Sequence, residues 1–126
     1  MKNVKYYICE HCGNLVEVVN DGRVNPVCCG QKMKLLEPGT VEASREKHIP
    51  VVSNENGAVR VFVGSAEHPM SEEHSILWIS LLTDKGVHRV HLSPSEKPEA
   101  VFSIVGESPI SVYAYCNLHG LWKADF

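Results

Sequence analysis

Four cysteines fall within the first thirty residues, Cys9, Cys12, Cys28 and Cys29, spaced C-x2-C-x15-C-C. A segment this short cannot bury enough apolar surface to hold itself together. The missing stability has to come from a covalent or metal cross-link, and that requirement limits the first part of the chain more than any pattern of hydrophobicity does. Gly13 follows the first pair and Gly30 the second, where backbone amides would have to turn in toward sulfur. A fifth cysteine, Cys116, makes the total odd. The opening residues Met1–Tyr7 lack the apolar run of a secretory signal, and no stretch reaches the length of a membrane span, so a cytoplasmic, reducing location is expected. There, five cysteines read as metal ligands rather than disulfides.

The residues alone leave the first metal open. A zinc ribbon normally repeats C-x2-C, whereas the second pair here is adjacent, and adjacent cysteines strain a tetrahedron. Structural zinc and a mononuclear iron–thiolate centre fit equally well at this point, with a disulfide framework less favoured. His11, inside the first knuckle, is expected to face solvent because four thiolates already close the site. Short strands are predicted over Leu15–Val19 and Lys32–Leu36, with a turn at Asn20-Asp21-Gly22.

Residues 37–42 contain Pro38-Gly39 and read as a linker, which divides the chain into domains 1–37 and 38–126. The second part reads as all-β. Ala58–Val63 alternates after an Asn56-Gly57 turn. Ser75–Leu82 is a strongly apolar strand, and Asp84-Lys85-Gly86 turns the chain into Val87–Leu92. Ala100–Val105 and Ile110–Tyr115 add two more, and no segment carries a convincing helical period. Short strands at regular spacing indicate a sandwich or barrel. Hydrophobic content of 44% with 21% charge argues for a folded chain, and a net charge of −3 with no Lys/Arg run argues against nucleic-acid binding. Trp78, Trp122, Met33 and Met70 are assigned to packing.

Near the C-terminus, Tyr115-Cys116-Asn117-Leu118-His119 places a thiol and an imidazole three residues apart, followed by Gly120. A tight turn would bring both onto one metal. Three further histidines, His48, His68 and His74, lie outside predicted strands or at their ends. Loops at one end of a β-sandwich can converge on a common point. His88 and His91 stand at odd separation on one strand, so they face opposite sides and are left out.

These blocks together carry a resemblance. Cys9-x2-Cys12…Cys28-Cys29 resembles a desulforedoxin iron centre. Glu46-Lys47-His48-Ile49-Pro50-Val51, His68-Pro69-Met70, His74 and Cys116-Asn117-Leu118-His119-Gly120 resemble the superoxide reductase domain. Over nearly its whole length the chain is similar to the desulfoferrodoxins, the two-iron form of superoxide reductase. The resemblance implies an immunoglobulin-like seven-stranded β-sandwich after a small iron–thiolate domain. It implies one iron on Cys9, Cys12, Cys28 and Cys29, and a second on His48, His68, His74, His119 and Cys116. Lys47 and Glu46 match the family's lysine and glutamate at the site. A homodimer and a small rubredoxin-like electron donor are likewise implied. Leu121 is a minor departure from many relatives and touches no ligand.

Chemistry is consistent with that implication. Five protein ligands around iron leave one position open. Neutral imidazoles leave the ferrous charge intact and one thiolate cancels a single unit, so the reduced site stays cationic and suits an anion such as superoxide. On a protein of net charge −3 the attraction must be local, and Lys47 beside His48 is its source. One electron and two protons convert superoxide to hydrogen peroxide. Two other functions fit less of the sequence: an iron electron-transfer protein without its own substrate, and an interaction module stabilised by zinc at both sites.

Overall fold

A computed structural model of the chain describes residues 3–126. The chain forms two compact units that divide between Glu37 and Pro38.

In the first unit, β1 (Tyr6–Ile8) pairs antiparallel with β2 (Leu15–Glu17) on one side and with β5 (Lys34–Leu35) on the other. A separate hairpin joins β3 (Val27–Cys28) to β4 (Gln31–Lys32). The strand expected over Lys32–Leu36 is therefore split. Met33 leaves the ladder between β4 and β5 and buries its side chain with Tyr7 and Cys9. Val18 and Cys28 pack against that group. Two cysteines belong to so small a core, so the unit depends on what its sulfurs bind.

The second unit begins its regular structure with one turn of helix, α1 (Arg45–His48), where no helix is expected from sequence. Four residues give no periodicity to read, and the turn ends where Ile49 N–H bonds Arg45 C=O just before Pro50. Seven strands follow: β6 (Pro50–Glu55), β7 (Ala58–Val63), β8 (Ile76–Thr83), β9 (Val87–His91), β10 (Glu99–Ser103), β11 (Pro109–Cys116) and β12 (Gly120–Asp125). They form two antiparallel sheets, ordered β10-β7-β6 and β12-β11-β8-β9. The predicted β-sandwich of seven strands is thus observed. Asn56 and Gly57 both have positive φ, 51° and 76°, the backbone that a two-residue hairpin between twisted strands requires.

Alternation sends Val59, Val61 and Val63 of β7 inward, opposite Ile79 and Leu81 of β8 and Val112, Ala114 and Cys116 of β11. Ala100 and Phe102 of β10 complete the layer. Cys116 is thus the last member of the inward row of β11, and it is fully buried. At that point the β8–β11 register slips, with Tyr115 opposite Trp78 but Cys116 opposite Ile76. Bulges re-aim side chains in this way beside functional sites. Trp78 and Trp122 are buried as expected, and Trp78 stacks on Tyr115 with ring centroids 5.6 Å apart.

A candidate pair of metal centres

Strand register determines where the second centre lies. The end of β7 pairs with the start of β6, and the end of β11 pairs with the starts of both β8 and β12. His48, His68, His74, Cys116 and His119 sit at or just beyond those ends. Residues separated by as many as 71 positions therefore meet.

The four imidazoles stand in a ring. Neighbouring centroids are 4.6 Å apart for His48–His68 and His68–His74, and 5.0 Å for His74–His119 and His48–His119. Each neighbouring pair is close to perpendicular, between 79° and 85°. Across the ring, His48 and His74 are 6.3 Å apart and tilted by 30°. The donor atoms of His48, His68, His74 and Cys116 lie within 4.8 Å of one another. His119 joins them through Nδ1, 3.1 Å from His48 Nε2 and 3.8 Å from Cys116 Sγ.

Hydrogen bonding determines which nitrogen faces inward. His48 Nδ1 lies 2.6 Å from the Ser44 carbonyl, and His68 Nδ1 lies 2.7 Å from the Pro69 carbonyl. A carbonyl only accepts, so both rings carry their proton on Nδ1 and turn a bare Nε2 inward. Those two Nε2 atoms are 3.1 Å apart. Neither has a proton to share, so the contact is lone pair against lone pair. His74 Nε2 is buried and has no hydrogen-bond partner. Burial holds His68 down to about 4 and lowers His48 and His74, so a proton cannot settle the repulsion near neutrality. Burial pushes the Cys116 thiol up, against the backbone N–H groups of His119 and Leu118 that favour thiolate. Converging lone pairs and a buried sulfur fit a cation bound among them.

The turn that carries Cys116 and His119 repeats that of the first centre. His119 N–H points at Cys116 Sγ at 3.4 Å, as Cys12 N–H points at Cys9 Sγ at 3.4 Å. A glycine with positive φ follows each, Gly120 at 76° and Gly13 at 83°. Trp122 reinforces the second turn, donating its indole N–H to the His119 carbonyl at 3.0 Å and lying against the His48 ring.

In the first centre the four sulfurs also lie within 4.8 Å of one another. The difficulty of adjacent cysteines is resolved by the backbone. Cys29 and Gly30 are the two central residues of the β3–β4 hairpin, with φ of 52° and 72°. Left-handed backbone at Cys29, uncommon for a residue with a side chain, swings its sulfur back to 3.9 Å from that of Cys28. Cys12 Sγ is 3.6 Å from Cys28 Sγ. The backbone N–H of Cys12 brings Cys9 down to about 6, while hydrogen bonding to Cys12 and its other thiol neighbours pushes Cys29 up to about 12. Four thiols sharing protons so unequally suit a cation that takes all four as thiolates. His11 is exposed, as expected.

Glu46 and Lys47 are exposed on α1, two residues and one residue before His48. The Lys47 charge contributes, after burial, to lowering both His48 and His74. The backbone here is tightly held. Ala66 N–H and Ser65 O–H both bond the Glu46 carbonyl, and a Cβ on Gly64 would fall 2.6 Å from that oxygen. Sequence gives no hint of this contact beyond a glycine after an alternating strand. His88 and His91 lie on β9 and belong to neither donor group, and His88 pairs with Glu107 at 3.0 Å.

Fold and sites define a two-centre metalloprotein, with a four-thiol knuckle preceding an all-β sandwich that carries an imidazole–thiol ring. Comparison with known proteins agrees. The sequence profile for Desulfoferrodoxin matches residues 40–125, and that for Desulfoferrodoxin, N-terminal domain, matches residues 2–36. The desulfoferrodoxin of Syntrophotalea carbinolica is 48% identical over 124 residues, covering 98% of each chain. Among solved structures, the superoxide reductase from Treponema pallidum superposes with a TM-score of 0.81 at 33% identity, covering 98% of this chain and 99% of that one. The one-iron superoxide reductase from Giardia intestinalis matches with a TM-score of 0.56 at 28% identity, covering 64% of this chain and 97% of that one. The chain belongs to the desulfoferrodoxin family. As such it has two iron centres, one for each donor group.

Proposed function

We propose that the chain is a superoxide reductase, converting superoxide to hydrogen peroxide by one-electron reduction without releasing oxygen. The observation that carries this reading is the ring of four imidazoles, each near-perpendicular to its neighbours, closed on one side by a buried thiol. Relatives of similar sequence and fold bear the name superoxide reductase. His48, His68 and His74 through Nε2, His119 through Nδ1, and Cys116 through Sγ hold the second iron. Cys9, Cys12, Cys28 and Cys29 hold the first, in a desulforedoxin-like domain spanning 1–37, ahead of a superoxide reductase domain spanning 38–126. Iron held by these residues would supply the single electron.

The protein's own groups do the rest. Carbonyls of Ser44 and Pro69 fix the tautomers of His48 and His68, so both rings meet the metal without losing a proton. Backbone N–H groups on Cys116 Sγ stabilise the thiolate. Lys47 draws the anion in and offers it a charged donor, and Glu46 acts beside it on product departure. A rubredoxin-like protein returns the electron, and the protein works as a cytoplasmic homodimer.

Rapid mixing of the reduced, iron-loaded chain with superoxide tests the reading. One hydrogen peroxide per iron oxidised, with no oxygen evolved, is the expected result. Oxygen release at the stoichiometry of dismutation, or an iron spectrum unmoved by superoxide, would refute it.

A further inference from the structure

Three of the ring imidazoles are held by their own surroundings. His48 and His68 are each tied to a carbonyl through Nδ1, and His119 is fixed within its turn by the Cys116 sulfur and Trp122. His74 differs. Its Nε2 has no partner, and among the described residues its Nδ1 makes no hydrogen bond that would orient the ring. What holds it is the backbone on either side. Asn117 Oδ1 accepts the Ser75 N–H at 3.0 Å, and Asn117 Nδ2 donates to the Glu73 carbonyl at 2.9 Å. One carboxamide thus brackets His74, and the Asn117 backbone N–H adds a third bond, to the Ser75 carbonyl at 3.2 Å. Within the segment, Ser71 frames the His74 backbone as well, its N–H and hydroxyl bonding the His74 carbonyl at 2.9 and 3.2 Å and its hydroxyl oxygen accepting the His74 N–H at 3.1 Å, but this frame is local and does not tie His74 to Cys116.

We propose that Asn117 is the positioning residue for His74, fixing the distance between that imidazole and the thiol of the adjacent Cys116. The proposal rests on the reading above that both residues bind the second iron. A carboxamide is needed because the two bonds have opposite sense: one atom must accept and the other donate, at the reach of a single methylene. Asp at this position keeps the acceptor but sets a carboxylate oxygen against the Glu73 carbonyl. Ala loses both bonds. The Asn117 carboxamide is spent on the backbone on either side of His74, so it acts through where it puts that imidazole. Carbonyl partners anchor His48 and His68 from behind the ring, and here the same task is done through the backbone.

The test uses the full iron-loaded chain and its Asn117→Ala and Asn117→Asp variants. Two quantities are read: the rate at which each centre gives up iron to a chelator, and the position of the thiolate-to-iron charge-transfer band of the oxidised second centre. The four-cysteine centre serves as internal control. The proposal expects the second centre to lose iron on the order of 10-fold faster in both variants, with a shifted band and an unchanged four-cysteine centre. Unchanged rates and band in a folded variant would overturn it. So would equal acceleration at both centres, which reports general loosening. If Asn117→Ala does not fold, Asn117→Asp, close to Asn in shape, is read by the same criteria. A native chain that binds no iron at the second centre would instead remove the functional reading itself.

Discussion

His48 Nε2 and His68 Nε2 face each other at 3.1 Å, each bare because its ring keeps its proton on Nδ1 and donates it in a hydrogen bond to a backbone carbonyl. This pair is unfavourable alone and favourable around a cation, so the fold holds its ligands ready at some cost to the metal-free state. Removing metal from the second centre should lower the melting temperature of the sandwich, and restoring iron should return it in a concentration-dependent way. Differential scanning calorimetry with and without chelator measures this. Equal melting temperatures would show that the ring tolerates being empty.

Proton release on metal uptake follows from the same environment. The Cys116 thiol is raised by burial, so it is protonated near neutral pH and must lose its proton to bind. Burial holds His68 near 4 and lowers His48 and His74, so these rings have less proton to give up than free imidazoles would. The sign is therefore fixed: affinity rises with pH below the thiol pKa, by ~10-fold per unit for the one proton that Cys116 releases. Titration with ferrous ion across that range, in a chain whose first centre is already filled, gives the slope. A slope of two or more would mean that imidazoles are protonated as well.

Lys47 is exposed, yet its charge reaches His48 and His74. Lys47→Ala should slow the reaction with superoxide by roughly 10-fold or more at low ionic strength and flatten its dependence on salt. The iron spectrum should not change. Pulse radiolysis at several salt concentrations makes the comparison.

Gly64 has no room for a side chain, because a Cβ there would meet the Glu46 carbonyl at 2.6 Å and that of Ile49 at 2.9 Å. Gly64→Ala should cost about 1–3 kcal/mol of stability and move the turn that carries Lys47 and His48. Chemical denaturation reports the first effect, and the salt dependence of the superoxide reaction reports the second.

Cys29 sits in left-handed backbone so that its sulfur can reach the knuckle. Cys29→Ser should abolish the thiolate–iron spectrum of the first centre and disorder the first unit, whose core already includes Cys9 and Met33. Iron content and circular dichroism measure both. Retention of superoxide reduction in this variant, with an artificial reductant, would assign the first iron a structural role.

Much of this was legible in the sequence, and what was not has physical reasons. Alternation identifies β7, which buries one face, a continuous apolar run identifies β8, which is buried almost throughout, and turns and apolar segments identify β9, β10 and β11. These signals miss β6, whose second half, Ser53-Asn54-Glu55, is polar and exposed, and β12, where Lys123 interrupts the apolar residues. Helix α1 is a single turn and has no period to detect. Residue types and spacing point to the five members of the ring. They do not say that His119 turns Nδ1 inward while His48 and His68 turn Nε2, because that choice is made by the Ser44 and Pro69 carbonyls and by a three-residue turn. Asn117 reads as filler between Cys116 and His119 until its partners, more than forty residues away, are seen.

The most direct test of the central claim is anomalous diffraction at the iron edge from crystals of the reduced protein. The account predicts a second iron peak at bonding distance from Nε2 of His48, His68 and His74, Nδ1 of His119 and Sγ of Cys116, with one position open opposite the sulfur. A peak that leaves Cys116 beyond bonding distance, or no iron within the imidazole ring, would contradict it.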